Sequence, residues 1–149
     1  LSVKDNVCLP NVGKFARLGI VNGSEENRAA IRYVNDLRIK TPSIRQQVVN
    51  LSGGNQQKVV LGKWLCSQAE IFIFDEPTRG IDVGAKAEIY ELINQLTAKG
   101  VAVLMISSEL PEILGMSDRI LVMHQGRING EFAAEEATQE KILSCALGQ

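Results

Sequence analysis

The sequence predicts an α/β fold in which helices cover a parallel sheet. Two apolar runs, Ile71–Phe74 and Val101–Ile106, show no polar alternation, which is typical of strands buried on both faces. The segment between them carries apolar residues at helical spacing from Ala85 to Leu96, with Asp82 as a candidate cap. The order strand, helix, strand implies a right-handed crossover between parallel strands.

Composition sets the first limits on function. At 149 residues, with 45% hydrophobic and 22% charged residues, the chain can bury one domain's core. A net charge of −1 gives no reason to expect a nucleic-acid partner or an anionic membrane surface. The three cysteines are widely spaced and form no paired motif, which argues against a disulfide framework and a zinc site.

The beginning of the chain suggests a fragment. It opens at Leu1 without a methionine and without a signal-peptide pattern. Its apolar runs fall far short of the ~20 residues that span a bilayer. Because the sequence opens without an initiator methionine, we expect these residues to belong to a longer protein.

The first third of the chain predicts a small helical unit. Ser2 is placed to cap a short helix that runs through Val7, and Ser24, followed by two glutamates, to start a second helix. Thr41-Pro42 has the order of a cap followed by a proline in the first turn, which predicts a third helix start.

Two glycines follow a serine where the next helix should begin, in the stretch Leu51–Gln57. This arrangement exposes backbone N–H groups at the positive end of a helix, where a phosphate can bind. Taken alone, Ser-Gly-Gly is more often an ordinary turn. The helix behind it is expected to present one apolar face, made of Val59, Val60, Trp64 and Leu65.

The last third predicts shorter elements around a hairpin. The Gln125-Gly126 pair is typical of a tight turn between two strands. The predicted elements are a helix over Glu109–Leu114, strands over Ile120–Met123 and Arg127–Asn129, and a final helix over Thr138–Leu147. His124, the only histidine, lies beside the turn and is expected to be a plain surface residue.

An acidic pair, Asp75-Glu76, comes directly after the first buried strand. Ligand crevices of open α/β sheets lie at the carboxyl ends of strands. An aspartate there can hold hydrated Mg²⁺, and a glutamate can orient and deprotonate a water molecule. A polar turn after a core strand is the alternative for the dipeptide alone.

These motifs, in this order, resemble the second half of an ATP-binding cassette (ABC) ATPase domain. Leu51–Gln56 resembles the signature motif, Ile71–Glu76 the Walker B strand, and Arg79–Asp82 the D-loop. The resemblance implies a partial P-loop NTPase-like fold, namely a helical subdomain plus the C-terminal half of the parallel-sheet core. The Walker A portion is absent, because no glycine-rich pattern ending in Gly-Lys-Ser or Gly-Lys-Thr occurs in the 149 residues.

The resemblance also implies domain bounds and residue roles. The bounds are 1–56 for the helical subdomain, 57–133 for the core part and 134–149 for the C-terminal helix. The cofactors are ATP and Mg²⁺, with Asp75 at the metal and Glu76 and Ser108 as catalytic residues. The residues implied at the nucleotide are Leu51, Ser52, Gly53, Gly54, Asn55, Gln56 and Asp82.

Ser108 departs from the family pattern, which has a switch histidine at this point. A hydroxyl can donate one hydrogen bond to a γ-phosphate, but it lacks the reach and the charge of an imidazolium. Ser108 could equally be the cap of the helix that starts at Glu109. Both interpretations remain open from the sequence.

Three stretches, 55–58, 75–86 and 107–112, are similar to the C-terminal cassette of the duplicated ATPases of bacterial monosaccharide importers of the ribose, galactose, allose and arabinose type. Ala137–Glu140 most resembles ribose-type members. This implies a peripheral protein on the cytoplasmic face of the bacterial inner membrane. Its partners would be a second cassette upstream in the same chain, a transmembrane permease and, indirectly, a periplasmic sugar-binding protein.

Other functions compete with this one. A catalytically degenerate, non-hydrolysing ABC module is the main alternative, and an exporter or lipid flippase is a further one. A DNA-maintenance ATPase is disfavoured, because the chain shows neither sustained heptads nor a basic charge balance. Alone, the fragment is expected to be inactive and to self-associate through exposed sheet edges.

Overall fold

The computed structural model describes residues 1–148, which form two compact units. Unit 1 comprises Leu1–Phe72 and Thr78–Val103, and unit 2 comprises Ile73–Pro77 and the residues from Leu104 onward. The α-helices are α1 (Val3–Cys8), α2 (Val12–Phe15), α3 (Gly23–Asp36), α4 (Gly53–Leu65), α5 (Val83–Thr97), α6 (Leu110–Met116) and α7 (Gln139–Ala146). The strands are β1 (Ala16–Arg17), β2 (Ile20–Val21), β3 (Ile71–Asp75), β4 (Ala102–Ile106), β5 (Arg119–His124) and β6 (Arg127–Ala133), and 3₁₀ turns cover Leu9–Asn11, Val48–Asn50 and Ala134–Glu136.

Side-chain caps start helices α1 and α3 of unit 1. The predicted cap of α1 is confirmed: Ser2 Oγ accepts from the N–H of Asp5, whose carboxylate accepts from the N–H of Ser2, both at 3.1 Å. The prediction of Ser24 as the start of α3 is wrong by two residues. Asn22 is the cap, because its Oδ1 accepts from the N–H groups of Ser24 at 3.1 Å and Glu25 at 3.3 Å.

The helix predicted at Thr41-Pro42 is wrong. The segment instead runs past the start of α1, where the carbonyl oxygens of Ile44 and Gln46 accept from the N–H groups of Lys4 and Val3, each at 2.9 Å. These N–H groups have no partner within their own helix. A helix after Pro42 would direct its carbonyls along its own axis. The N–H groups of Val3 and Lys4 would then lose these acceptors.

The packed face of α4 differs from the predicted one. Val60 and Trp64 are 45% and 48% exposed, whereas Val59 is 1% exposed. The buried residues of α4 are Gly54, Lys58, Val59, Leu61 and Gly62. The core of unit 1 also contains Val3, Val7, Cys8, Ala30, Leu37, Ile89 and Ile93. Glycine on the packed face lets α4 approach its neighbours, because a Cβ on Gly62 would lie 3.0 Å from Leu37 Cδ1.

Strands β3 and β4 pair with each other in parallel. At their beginning, the N–H of Ala102 donates to the carbonyl of Glu70 at 2.9 Å. At their end, the N–H of Glu76 donates to the carbonyl of Ile106 at 2.8 Å. Start therefore faces start and end faces end, which confirms the predicted parallel order.

The prediction that both strands are buried on both faces is wrong. In β3, Phe72 and Phe74 are 6% and 8% exposed, but Ile71 and Ile73 are 68% and 66% exposed. In β4, exposed and half-buried residues alternate, and Leu104 is 50% exposed. The described residues thus cover one face of this strand pair and leave the other apolar and exposed.

Unit 2 is built on the predicted hairpin, whose strands β5 and β6 pair antiparallel around Gln125-Gly126. Both turn residues have positive φ, 47° and 77°, as a type I′ turn requires. Strand β6 is longer than predicted and extends to Ala133. The final helix, α7, is confirmed, and Thr138 caps it by accepting from the N–H of Lys141 at 3.3 Å. The core of this unit contains Ile120, Val122 and Ile142.

Two absences hold over residues 1–148. All three cysteines lie in this range and are free thiols. None of the helices in this range has the length and apolar character of a membrane span. The domain bounds inferred from the sequence remain a prediction.

Candidate functional site

The N-terminus of α4 lacks a side-chain cap. Ser52 is the cap residue and is exposed, but its Oγ accepts from Asn55 Nδ2 at 2.8 Å and not from a backbone N–H. By contrast, side chains cap α1, α3, α5 and α7, through Ser2, Asn22, Asp82 and Thr138. The first N–H groups of α4 therefore have no side-chain acceptor at a positive helix end, where such groups can bind an anion.

Two side chains of the predicted motif brace the loop before α4. Asn55 Oδ1 accepts from the N–H of Lys40 at 2.7 Å. Gln56 Nε2 donates to the carbonyl oxygens of Leu51 at 2.8 Å and of Val49 at 3.4 Å. These bonds fix the shape of the loop and leave the cap serine at its exposed end.

The two glycines bring the start of α4 close to the first turn of α5 and to the residues just before it. A Cβ on Gly53 would lie 3.9 Å from Ile81 Cγ2 and 4.0 Å from the carbonyl of Gly80. A Cβ on Gly54 would lie only 2.7 Å from Ala85 Cβ, which is too close for two carbon atoms. Glycine at position 54 is thus required by the approach of the two helices.

Asp82 is exposed and starts α5, as predicted. Its Oδ1 accepts from the N–H of Ala85 at 2.9 Å. This bond gives the carboxylate a capping function, which fixes the end of the predicted D-loop next to the start of α4.

A buried lysine that was not predicted from the sequence joins α4 to α5. Lys58 is 2% exposed, forms an ion pair with Glu88 and donates to the carbonyl of Arg38 at 3.2 Å. The hydrogen bond from Lys58, and secondarily its charge, lower the pKa of the Glu88 carboxyl below its ordinary value. Lys58 lies four residues after Gly54, on the same side of the helix. This spacing was the sequence signal that could have predicted the burial of Lys58.

In unit 2, the structure brings Glu76 and Ser108 together. Glu76 Oε1 accepts from the backbone N–H of Ser108 at 3.0 Å. Its backbone is in the left-handed region, with φ at +48°, a conformation that costs non-glycine residues about 1 kcal/mol or more. The bond from the N–H of Glu76 to Ile106 helps to hold this conformation. Asp75 is exposed at the end of β3.

Ser108 does not cap α6, so that alternative is excluded. The cap residue is Glu109, and Ser107 Oγ accepts from its N–H at 3.0 Å. The hydroxyl of Ser107 in turn donates to the carboxylate of Glu112, which is 4% exposed. Ser108 itself is exposed.

Asp75 fits the requirements of a magnesium ligand. Mg²⁺ keeps several waters and commonly takes only one or two protein carboxylates in addition to phosphate oxygens. An exposed carboxylate at a strand end meets that need. Within residues 1–148, no group of three His, Cys, Asp or Glu side chains could form an all-protein metal site.

His124 is not the plain surface residue that the sequence suggested. It is half-buried, and its Nδ1 lies 2.7 Å from the carbonyl oxygen of Ala146. Because a carbonyl only accepts, Nδ1 carries the proton. Asn129 Nδ2 also donates, at 2.7 Å, to the carbonyl of Cys145. The two side chains tie the end of α7 to the hairpin.

Comparisons with known proteins identify a family and relatives that resemble this chain. A family model described as "ABC transporter" matches residues 1–79, more than half of the chain. The chain is 62% identical over 148 residues to the xylose import ATP-binding protein XylG of Thermoanaerobacter pseudethanolicus, and 53% identical over 147 residues to the ribose import ATP-binding protein RbsA of Oceanobacillus iheyensis. These matches cover 99% of this chain but 29% and 30% of the relatives.

A solved structure shows the same fold. The ATP-binding cassette MJ1267 of an ABC transporter superposes with a TM-score of 0.80 at 23% sequence identity. The match covers 97% of this chain and 62% of the cassette. The predicted partial ABC ATPase fold is therefore confirmed.

Proposed function

This chain belongs to the ABC transporter family, and we therefore propose that it is the C-terminal part of the second ATP-hydrolysing cassette of a bacterial monosaccharide importer. Support comes from relatives whose names describe ATP-binding proteins of xylose and ribose import. The chain spans less than a third of their length, so a longer parent protein would carry the activity. Within that protein, residues 1–56, 57–133 and 134–149 would be the helical, core and C-terminal parts.

The uncapped start of α4 is the observation that carries the proposal. Ser52 and Gly53 are exposed there, and the backbone N–H groups of the first turn lack a side-chain acceptor. They would donate hydrogen bonds to the γ-phosphate of ATP held by a second cassette. Leu51, Asn55 and Gln56 would keep the loop in shape. Such donors stabilise charge that develops on a transferring phosphoryl group.

The chain's own nucleotide site would use the residues at the ends of β3 and β4. Asp75 would hold Mg²⁺, which neutralises phosphate charge when bound, and Glu76 would orient and deprotonate a water molecule. Ser108 would offer a hydroxyl where the family has a histidine. We infer that this site turns over slowly, and that Ser52 contributes more to overall hydrolysis than Glu76 does.

The partners follow from the same proposal. They are the second cassette, upstream in the same chain, a transmembrane permease and, indirectly, a periplasmic sugar-binding protein. The protein would lie peripherally on the cytoplasmic face of the inner membrane. In the absence of the rest of the protein, the exposed side chains of Ile73 and Leu104 would favour self-association.

The test compares two variants of the full-length ATPase. Ser52→Arg places bulk at the phosphate-facing helix end and should abolish hydrolysis, whereas Glu76→Gln should retain a substantial fraction. Ser24→Arg, at an exposed position in the first turn of α3, is the matched control and should leave the rate unchanged. Equal loss in the Ser52 and Glu76 variants would contradict the asymmetry, and an active Ser52→Arg protein would refute the proposed function.

A non-hydrolysing module is the second candidate, and Ser108 at the histidine position is the observation that favours it. Under this alternative, the full-length protein would bind ATP without turning it over at either site. Single-turnover measurements with radiolabelled ATP separate the two candidates, because a motor releases phosphate and a degenerate module does not.

A further inference from the structure

We propose that Glu112 is a positioning residue that holds the carboxylate of Glu76 in place through the Ser107-Ser108 turn. The inference rests on the proposed function, because Glu76 needs positioning only if it acts on a water molecule during hydrolysis. It concerns contacts within unit 2 alone.

First, Glu76 is held by two hydrogen bonds to the end of β4 and the turn after it. Its Oε1 accepts from the N–H of Ser108 at 3.0 Å, and its own N–H donates to the carbonyl of Ile106 at 2.8 Å. Both partners lie at the end of β4 or just beyond it. The carboxylate is therefore oriented by a backbone group, whose position depends on the conformation of the turn.

The second step is the conformation of that turn. Ser107 Oγ accepts from the N–H of Glu109 at 3.0 Å and donates to the carboxylate of Glu112. One hydroxyl thus joins the backbone on one side of Ser108 to a side chain in the first turn of α6. This pair of hydrogen bonds fixes the direction in which the N–H of Ser108 points.

The third step is the anchoring of Glu112 itself. It is 4% exposed, and a carboxylate at this depth requires hydrogen-bond donors. Its helix, α6, is held by Leu110, Ile113 and Leu114, which pack against the core of unit 2. The core, α6, Glu112, the turn and Glu76 therefore form a continuous chain of contacts.

Loss of Glu112 should act on Glu76 through the Ser107-Ser108 turn. Without its acceptor, the Ser107 hydroxyl can rotate, and the N–H of Ser108 loses its fixed direction. The left-handed backbone of Glu76 would then lose a contact that offsets its strain. ATP affinity should change little, because the side chains of Glu112, Ser107 and Glu76 are not among the groups proposed to bind phosphate.

The experiment is a double-mutant cycle in the full-length ATPase. We expect Glu112→Ala to lower kcat to the value of Glu76→Gln, with KM for ATP unchanged, and to cause no further loss in the Glu76→Gln background. Glu112→Gln should restore most of the rate, because its amide oxygen can still accept from the Ser107 hydroxyl. Glu140→Ala, an exposed glutamate of α7, is the matched control and should leave kcat unchanged.

Three results of the cycle would overturn the inference. They are a wild-type kcat in Glu112→Ala, a loss from Glu112→Ala that is as large in the Glu76→Gln background as in the wild type, and no recovery of kcat in Glu112→Gln. Full activity of Glu76→Gln would also overturn it, because nothing would then require positioning. Should Glu112→Ala fail to fold by circular dichroism, Ser107→Ala and Ser107→Thr replace it in the same cycle, with recovery expected only for threonine. An active Ser52→Arg protein would refute the proposed function instead, whatever the cycle gives.

Discussion

Replacing Gly54 with alanine tests how close α4 and α5 must lie. The added Cβ would be 2.7 Å from Ala85 Cβ, well inside the contact distance of two carbon atoms. Overpacking of this kind costs about 1–3 kcal/mol. Alanine also favours a helix over glycine by about 0.5–1 kcal/mol. The net expectation is a destabilisation of roughly 1–2 kcal/mol.

Urea unfolding of the 149-residue chain measures this change directly. The protein has one tryptophan, Trp64, which lies on α4 itself and reports the unfolding of that helix by fluorescence. With a urea m-value of about 2 kcal/mol/M, the midpoint should fall by about 0.5–1 M. The m-value should stay unchanged, because the surface exposed on unfolding stays the same.

Two further variants make the test specific. Gly23→Ala is the matched control, because Gly23 is helical and nothing lies within 4 Å of its added Cβ. Ala85→Gly should restore part of the stability of Gly54→Ala by removing the opposing methyl group. The steric explanation is refuted if Gly54→Ala leaves the midpoint as high as Gly23→Ala does, or if Ala85→Gly gives no recovery.

Three other outcomes are expected. Lys58 lowers the pKa of Glu88 below 4.5, so the carboxylate contributes stability above that value and loses it as the pH falls. Below about pH 5, the wild-type chain should therefore lose stability more steeply than Glu88→Gln in urea titrations, and parallel curves would contradict this. Calorimetry with Mg-ATP should detect no binding to the 149-residue chain, because the chain lacks the Walker A portion. Micromolar affinity would contradict this expectation. Light scattering from the 149-residue chain at high concentration should give the mass of an oligomer, and the mass of a monomer would contradict the predicted self-association.

Local signals predicted most of the fold because they depend on neighbouring residues alone. Ser2 and Asp82 cap their helices as their sequence context suggested. The failures lie where distant residues decide. Nothing near Thr41-Pro42 reveals that the following carbonyls serve the start of α1. Likewise, an apolar run shows that a strand can be buried on two faces, but not which face is covered.

The motif residues of the candidate site were predictable from the sequence, whereas the residues that support them were not. Ser52, Asp75 and Glu76 belong to motifs whose chemistry can be read from residue type and order. The supports are ordinary residues whose importance comes from burial. Lys58 and Glu112 are 2% and 4% exposed, yet as charged residues they are expected at the surface unless a partner is known.

The residues that support Ser52 and those that support Glu76 lie in different units, which allows the two proposed contributions to hydrolysis to be tested separately. Lys58 joins α4 to α5 inside unit 1, and Glu112 is proposed to position Glu76 inside unit 2. The two sets of contacts share no residue. If Ser52 serves the ATP of a second cassette and Glu76 serves the chain's own site, the two sites add their rates, so the rate losses of Lys58→Met and Glu112→Ala should add in the double variant. Fractional rates that multiply, or a double variant no slower than the worse single one, would mean that both residues act on a single site.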